Sequence, residues 1–279
     1  MVATPIGNAA DITLRALDTL RRADAVACED TRVTTKLMRM HGLHKTLIAY
    51  HEHNAAKVRP QLMARLKAGE AVALVSDAGT PLISDPGYKL VRDCAAEGVK
   101  VTTLPGPSAP LAALVLSGLP SDRFLFAGFL PNKSSARRTE LEELGEVRAT
   151  LIFFESAQRL PDTLADMASV LGDREAAVAR ELTKLFEEVR RGPLPELARH
   201  YAEQGPPKGE VVVVVGPPPV GERAATGDVD QLLREALKRH GVKDAAREVA
   251  DITGWPRREV YARALELVKT GQHDDDRFG

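Results

Sequence analysis

Residues 76–87 hold the densest group of ligand-binding side chains in the chain. Four of them are short and polar and could hold the hydroxyls or the amine of a ligand: Asp77, Thr80, Ser84 and Asp85. Gly79 and Gly87 would let the backbone approach that ligand closely. The apolar run at 71–75, typical of a buried parallel strand, directly precedes this segment, and open α/β sheets bind ligands at the carboxyl ends of such strands. The sequence therefore predicts a binding loop at 76–87.

Three other predicted strands also end in polar loops, at 4–8, 29–32 and 51–54. Because the carboxyl ends of parallel strands meet at one edge of a sheet, we expect all four loops to share a cleft. None of them matches a P-loop, a dinucleotide-binding glycine motif or a nucleophile elbow.

Other chemistry at these loops is less well supported. His51 and His53 could suggest a metal, but no cysteine or histidine cluster completes a coordination shell, so we expect none. Glu29 and Asp30 could be paired carboxylates, yet neighbours on a strand point to opposite faces, which argues against an acid–base dyad.

Two groups of basic residues could contact nucleic acid. One is Lys133, Arg137 and Arg138; the other is Arg257, Arg258, Arg263 and Lys269. Charge alone fits a solvated helix face equally well. The pair of helical patterns around Gly254-Trp255-Pro256 has helix-turn-helix form, which favours nucleic acid.

Alternating strand and helix patterns must position these loops. In the first part, strands are predicted at 24–28, 45–50, 71–75 and 100–104, and helices at 12–22, 34–41, 55–68, 87–97 and 108–117. This alternation predicts a parallel sheet with helices on both faces. It stops around 124–139, where the segment 128–133 gives way to a predicted basic, Ser-rich turn.

A second α/β region and a helical module follow. Strands are predicted at 150–154, 176–180, 187–191 and 211–215, helices at 160–171 and 194–204, and three C-terminal helices at 229–240, 243–253 and 257–270. The predicted divisions are an N-terminal α/β domain at 1–121, a second α/β domain at 122–218, a linker at 219–227, and a helical module with an acidic tail at 228–279.

The composition is that of a soluble globular protein. The 279 residues are 44% hydrophobic and 28% charged, with a formal net charge of −1, so no global field attracts the chain to nucleic acid or membrane. Two cysteines, Cys28 and Cys94, exclude a disulfide framework and indicate a reducing compartment. No apolar stretch is long enough to span a bilayer and no secretory leader is visible. We expect a cytoplasmic protein.

The polar loops together resemble those of one known family. The segments that carry the resemblance are 2–8, 29–32, 50–53, 76–87, 105–108, 179–184 and 208–210. They resemble the ribosomal RNA small subunit methyltransferase I family, a branch of the tetrapyrrole methylase superfamily. The resemblance covers nearly the whole chain, and 76–87 alone is highly specific.

The resemblance implies a fold, a cofactor and a substrate. The implied fold is two α/β domains with S-adenosyl-L-methionine in the cleft between them, plus a C-terminal helix-turn-helix-like module. The implied reaction is 2′-O-methylation of a cytidine in the decoding region of 16S rRNA. The implied partner is that RNA or the small ribosomal subunit. The implied assembly is a homodimer without membrane contact. The implied donor-site residues are Pro5, Asp77, Gly79, Thr80, Ile83, Pro107, Ser108, Ala109, Phe154, Glu155, Ala179, Glu181 and Gly209.

Transfer to a ribose hydroxyl requires alignment with the methyl group and removal of a proton. The candidate bases are Asp30, Glu29, His51 and His53, with Asp77 weaker. The candidate RNA-binding residues are Arg32, Lys133, Arg137, Arg138, Arg257 and Arg258. Two alternatives stay open, a tetrapyrrole methylase of the same superfamily and a non-catalytic RNA-binding assembly factor.

The chain departs from the family in two places. Family members commonly carry several residues before the segment at 2–5, so we expect a short first strand here. They also commonly carry His at the position of Gln158, which would alter any role of that ring in positioning the substrate.

Overall fold

The computed structural model describes residues 1–84, 87–219 and 226–275. Asp85 and Pro86 of the predicted binding loop lie outside these residues, as do most of the predicted linker and the last four residues of the tail. The chain divides into two compact units, Met1–Pro217 and Pro218–Gly279.

The first sheet is parallel, as predicted, with the order β2-β1-β3. Its strands are β1 (Ala25–Cys28), β2 (Leu47–Ala49) and β3 (Val72–Val75). The predicted strand at 100–104 is wrong, because only Leu104 pairs, in an isolated parallel bridge to Val2. Val101 is exposed, so the segment lacks the buried apolar face of a strand.

The second sheet is mixed, with the order β4-β5-β8-β6-β7. Its strands are β4 (Phe124–Phe129), β5 (Thr150–Ser156), β6 (Glu175–Arg180), β7 (Glu188–Pro193) and β8 (Glu210–Val215). Only β4 and β5 are parallel; the pairs β5–β8, β8–β6 and β6–β7 are antiparallel. The carboxyl ends of β4, β5 and β6 therefore lie at the same edge as the amino end of β8.

The helices surround these sheets. Those of the first unit are α1 (Leu14–Arg22), α2 (Thr31–Met40), α3 (Ala55–Lys67), α4 (Tyr88–Ala96), α5 (Ala109–Ser117), α6 (Ser134–Gly145), α7 (Leu160–Leu171) and α8 (Leu194–Gln204). The basic, Ser-rich turn predicted after 128–133 is wrong, because α6 begins at Ser134; the strand β4 before it was not predicted.

Helix α5 packs on the second sheet although the sequence assigns it to the first domain. Its residues Ala113 and Leu114 share an apolar core with Ile152 of β5 and Val214 of β8. The opposite face of that sheet packs against α7 and α8 through residues such as Leu164. The domain division at residue 121 stays a prediction.

The second unit has its own apolar core. Its helices are α9 (Thr226–Leu237), α10 (Val242–Thr253) and α11 (Arg257–Asp275). Gly254 ends α10 in the left-handed conformation that glycine favours, and Val249 and Val260 are buried on either side of the turn. Helix α9 begins at Thr226 and α11 reaches Asp275, so the predicted linker and tail are each shorter than expected. Arg263 is held by a two-point ion pair with Asp230, at 2.7 Å for each contact.

Candidate functional site

A cavity of about 480 Å³ lies within the first unit at the carboxyl ends of β3, β5 and β6. It is lined by segments that follow β3, by the start of α5, and by the facing ends of the second sheet. Nine residues predicted from the sequence line it: Gly79, Thr80, Ile83, Ser108, Ala109, Phe154, Glu155, Ala179 and Gly209. The structure thus brings together loops that are far apart in the sequence.

Backbone pairing positions the loop after β3. Thr4 and Gly79 exchange two backbone hydrogen bonds of 2.9 and 3.0 Å, and the Thr4 hydroxyl donates to the Ser76 carbonyl at 3.2 Å. Gly79 has φ of +80°, a conformation that costs a side-chain-bearing residue free energy. The Thr80 hydroxyl donates to the Pro107 carbonyl at 3.1 Å, which ties this loop to the segment that leads into α5.

The second sheet supplies an aromatic wall. Phe154 lies between Phe126 and Phe129, with ring centroids 4.9 and 5.4 Å away. Phe129 lines the cavity yet is 57% exposed, so an apolar ring faces solvent at its mouth. Such a ring is suited to contact the face of a planar heterocycle.

The Glu155 carboxylate is occupied by neighbouring groups. It accepts hydrogen bonds from the Ser156 amide and the Thr163 hydroxyl, both at 2.6 Å, and lies 3.3 Å from the Arg159 guanidinium. Arg159 in turn donates to carbonyls in the segment at 130–131. Glu155 therefore fixes the shape of the cavity wall.

The turn after β6 is strained. Glu181 and Thr183 have φ of 51° and 64°, in a region that is unfavourable for residues other than glycine. The Glu181 carboxylate accepts from Lys184 at 2.8 Å and from the Glu210 amide at 3.0 Å. The Lys184 hydrogen bond holds the pKa of Glu181 below its usual value, so this carboxylate stays charged.

Four predicted donor-site residues do not line the cavity. Pro107 and Glu181 act on it through the hydrogen bonds described above, whereas Asp77 accepts the Asp30 amide at 2.9 Å. Pro5 follows Thr4 on the paired segment. These residues shape the loops and do not form the surface of the cavity.

Sequence reasoning missed several residues that line the cavity. They are Ile6, Ala78, Pro110, Phe129, Ser156, Ala157, Leu182, Glu210, Val211 and Val212; Ser84, a predicted polar residue of the binding loop outside the implied donor-site residues, also lines the cavity. Phe129 follows Gly128 at the end of an apolar run, a signal that could have indicated a strand ending in an exposed ring. The others carry no local signal, because only the fold brings them to the cavity.

The candidate bases lie at the ends of β1 and β2, outside the residues that line the cavity. Asp30 begins α2 by accepting the Arg32 amide at 2.8 Å, and its carboxylate also pairs with the Arg32 guanidinium at 2.6 Å. Hydrogen bonds from Arg32 lower the pKa of Asp30 to about 2. A carboxylate held in this way is a weak proton acceptor, and Arg32 is partly neutralised by it. Glu29, its neighbour, is half-buried and has an interaction partner.

His51 and His53 lie beside each other after β2, with ring centroids 6.1 Å apart. The Tyr50 amide donates to the Cys28 carbonyl at 2.8 Å, which places this loop next to the loop after β1. Nδ1 of His51 is buried and has no hydrogen-bond partner within the described part of the chain. Among the candidate bases, the two imidazoles are chemically the best suited, because histidine is the side chain that most often serves as a general base.

The three basic residues predicted at this turn differ in exposure: one is buried and two are exposed. Arg137 is only 4% exposed and pairs with Asp166 at 2.6 Å, so the prediction that it binds RNA phosphate is wrong. Lys133 and Arg138 are exposed, as are Arg257 and Arg258 at the start of α11. These four residues keep their predicted role as a proposal.

The described residues contain neither a candidate metal site nor a membrane-spanning helix. No group of three or more His, Cys, Asp or Glu side chains in residues 1–84, 87–219 and 226–275 is arranged to hold a metal ion. In the same residues, no helix combines the length and the apolar character needed to cross a membrane.

Comparisons with known proteins identify the family. The sequence profile of Tetrapyrrole (Corrin/Porphyrin) Methylases matches residues 1–198, and that of the RsmI C-terminal HTH domain matches residues 223–268. A curated protein of Mesorhizobium japonicum named ribosomal RNA small subunit methyltransferase I is 54% identical over 99% of this chain and 94% of its own length. This chain belongs to the ribosomal RNA small subunit methyltransferase I family. A second member, from Erythrobacter litoralis, is 57% identical over 96% of this chain and 94% of its own length.

Solved structures agree on the fold. Diphthine synthase aligns with a TM-score of 0.60 at 19% identity, covering 77% of this chain and 88% of its own. A uroporphyrin-III C-methyltransferase of Thermus thermophilus, complexed with S-adenosyl homocysteine, aligns with a TM-score of 0.53 at 20% identity, covering 77% and 95%. The predicted fold, two α/β sheets of the tetrapyrrole methylase type followed by a helix-turn-helix module, is confirmed.

The chain is a methyltransferase that uses S-adenosyl-L-methionine as its donor. The cavity fits this molecule in size, since ligand pockets usually measure about 300–1,000 Å³. It fits in chemistry as well, because aromatic rings at Phe129 and Phe154 could accommodate a nucleobase while the hydroxyls of Thr80 and Ser108 lie at the same cavity.

Proposed function

We propose that this enzyme methylates the 2′-hydroxyl of a cytidine in the decoding region of 16S rRNA. The observation that carries the proposal is the near full-length similarity to ribosomal RNA small subunit methyltransferase I, including the C-terminal helix-turn-helix module. The donor cavity supports a methyl-transfer reaction, and exposed basic residues on both units supply contacts for an RNA backbone.

The chain's own residues hold and orient the reactants. The walls formed by the loop after β3, by α5 and by the second sheet exclude water from one side of the cavity. S-adenosyl-L-methionine, when bound, supplies a methyl group that is already activated on a sulfonium. Alignment of the ribose hydroxyl is therefore the main demand, which suits a rigid cavity whose loops are fixed by Thr80 and Glu181.

The proton of the ribose hydroxyl would pass to His51 or His53. Both imidazoles lie at the sheet edge that also carries the binding loop, whereas Asp30 is engaged with Arg32. Replacing each histidine singly by Ala distinguishes the two. The variant that lacks the base should transfer the methyl group about 10²–10⁴-fold more slowly, with unchanged donor affinity. Full activity in both variants would remove the pair as base.

The target nucleotide would have to be splayed out of its helix to bring its 2′-hydroxyl into the cavity, because sequence-specific recognition of RNA mostly uses unstacked nucleotides. Lys133, Arg138, Arg257 and Arg258 would bind phosphates around it. The partner is thus 16S rRNA or the small subunit that contains it. We further propose that the enzyme acts in the cytoplasm and as a homodimer.

One assay tests the proposed substrate against its alternatives. The enzyme is incubated with S-[methyl-³H]adenosylmethionine and, in separate reactions, with small ribosomal subunits, naked 16S rRNA or a tetrapyrrole. We expect label in RNA, at a cytidine whose 2′-O-methyl group blocks alkaline cleavage. Label in the tetrapyrrole would support the small-molecule alternative, and rRNA binding without label in any reaction would support a non-catalytic assembly factor.

The donor site has its own test. Thr80→Phe fills the cavity and should weaken donor binding at least tenfold by calorimetry. Thr80→Val has nearly the same volume and removes only the hydrogen bond to Pro107, so it serves as the matched control. Unchanged affinity in Thr80→Phe would exclude this cavity as the donor site.

A further inference from the structure

A basic groove lies on the second sheet, on the side of α8. Two adjoining depressions, of about 450 and about 260 Å³, share Arg190 and His200 in their linings and so form one continuous track. The cationic side chains on this face are Arg180, Arg190, Arg199 and Lys208. Three carboxylates, Glu188, Glu196 and Glu203, oppose these four cations, so the groove is net positive in a chain whose total charge is −1.

The cations of the groove are only partly neutralised. Glu188 pairs with both Arg180 and Arg190, at 3.0 and 3.2 Å, and so holds the two guanidiniums side by side. Arg191 also borders the groove, but its guanidinium donates to the carbonyls of Leu116 and Ser117 of α5, on the opposite face of the sheet, so it is not one of these cations. Arg199 and Lys208 are exposed and form no ion pair with any part of the chain that the structure describes. These two charges are available to an external anion.

One end of the groove lies at the edge of the second sheet that carries the donor cavity. Arg180 ends β6 at that edge, but its side chain lies on the face opposite to that of Ala179, which lines the cavity, because neighbouring strand residues point to opposite faces. Lys208 directly precedes Gly209, which also lines the cavity. Arg180 donates to the Lys208 carbonyl at 3.2 Å, which joins the two chain segments at that point. From there the track runs along β7 and α8, because Arg190 and Arg191 lie opposite Val178 and Ala177 of β6, progressively farther from the end that carries the cavity.

We propose that this groove binds the sugar–phosphate backbone of the substrate RNA on one side of the methylated nucleotide. An elongated track with several separated cations suits a polyanion better than a single phosphate ion. Because its Arg180 end lies at the sheet edge that carries the donor cavity, the groove would hold RNA that passes around this edge to the methyl group. The inference rests on the proposed function and adds to it a contact surface outside the basic turn and the helical module.

Arg199→Ala/Lys208→Ala tests the groove with the least risk to folding, since both side chains are exposed and unpaired within the described residues. The control is Lys100→Ala/Arg148→Ala, which removes the same charge from two exposed positions. Arg148 precedes β5 and Lys100 precedes the bridge at Leu104, so both lie at the sheet ends opposite the cavity. Filter binding measures the Kd for a naked 16S rRNA transcript between about 50 and 200 mM salt, the range over which phosphate contacts change affinity most clearly.

We expect the groove variant to bind RNA about tenfold more weakly at the lowest salt. The slope of log K against log salt should fall by about 1.5, because each lost phosphate contact removes roughly 0.7–0.9. Donor affinity by calorimetry should match that of the wild type, and the control should match it in every measurement. A groove variant with wild-type Kd and slope would overturn the proposal. A groove variant that no longer dimerises but binds RNA like the wild type would also overturn it, because the groove would then be a contact between two copies of the chain.

Failure of the groove and failure of the proposed function give different results, because binding is measured without turnover. If the wild type labels no rRNA, the proposed function fails. If it labels rRNA and the groove variant binds RNA like the wild type, only the groove proposal fails.

Discussion

At the scale of single residues, Gly209 offers the sharpest test of how the donor cavity is built. Its φ is +95°, and an added Cβ would overlap the Glu181 side chain, which holds Lys184 and the Glu210 amide. Gly209→Ala should therefore displace Glu181 and lower stability by about 1–3 kcal/mol. We also expect donor affinity by calorimetry to fall at least tenfold, because Gly209 lines the cavity.

Gly205→Ala is the matched control for this prediction. Its φ is +77°, so it carries a similar backbone cost, but no atom lies within 4 Å of the position of its Cβ. It should lose some stability and keep donor affinity. Equal donor affinities in the two variants would mean that the Glu181 turn does not shape the site.

Asp30 carries a prediction about pH. Hydrogen bonds from Arg32 lower the pKa of its carboxyl from 3.8 to about 2 in the folded state. A lowered pKa contributes stability that is fully present above the ordinary value and is lost as pH falls toward 2. The contribution is small, since Arg32 is 89% exposed.

Asp30→Asn keeps a capping side chain and removes the charge. Urea denaturation should show the wild type as the more stable protein at pH 6, with the difference shrinking by pH 3. Methyl transfer should persist in the variant, because Asp30 is too weak a base. Loss of transfer with intact donor binding would restore Asp30 as a candidate base.

The sequence predicted residues of the binding loops better than residues of the walls. Thr80 stands in a polar segment after a predicted strand, where local chemistry indicates ligand binding, whereas Ser108 was implied only by the family resemblance. Val211 and Val212 have the pattern of a buried strand, and nothing local shows that they also line a cavity. Arg137 was assigned to RNA from charge, because its partner Asp166 lies 29 residues away and cannot be inferred from spacing.

At the scale of elements, the pair of Arg137 and Asp166 joins α6 to α7. Arg137→Ala would leave Asp166 buried with the Ser134 hydroxyl as its main remaining partner. Removing one partner of a buried ion pair typically costs about 3–5 kcal/mol. We therefore expect a clear loss of stability in urea denaturation. Arg138→Ala, one residue along and 3.9 Å from Asp166, should change stability by less than about 1 kcal/mol. Equal losses would show that burial of the pair is not what stabilises this helix contact.

Element prediction succeeded where apolar patterns were long and failed at a strand interrupted by a glycine bulge and at a segment that forms only one bridge. Strand β8 contains five consecutive valines and was predicted directly, because a β-branched run of this kind is typical of a buried strand. Strand β4 was missed because Gly128 interrupts it with a bulge at φ +71° and Pro131 follows. The strand predicted at 100–104 has β-branched residues but pairs only at Leu104. Whether a segment pairs depends on its neighbours in the sheet, so the sequence of 100–104 alone could not predict it.

At the scale of the whole molecule, we propose that the first unit binds the donor and that the helical unit supplies part of the binding of RNA. The donor cavity lies entirely in residues of the first unit, and the helical unit has a separate core around Leu233 and Val249. Composition and periodicity alone indicated only two α/β regions and three short helices. The family resemblance predicted which of these regions binds the donor. Substitutions on the surface of the helical unit should therefore change RNA binding and leave the donor site unaffected.

Arg257 and Arg258 test this division. Both are exposed at the start of α11, directly after the turn of the helix-turn-helix, whereas Arg263 on the same helix is engaged by Asp230 and Glu266. We expect Arg257→Ala/Arg258→Ala to weaken binding of 16S rRNA about tenfold at low salt and to reduce the salt slope by about 1.5.

Lys238→Ala/Lys243→Ala removes the same charge from exposed positions of the same unit and should have less effect. Donor affinity should be unchanged in both variants, since neither pair lines the cavity. A double arginine variant that binds rRNA like the wild type, or the same loss in both variants, would mean that α11 does not present a specific RNA contact.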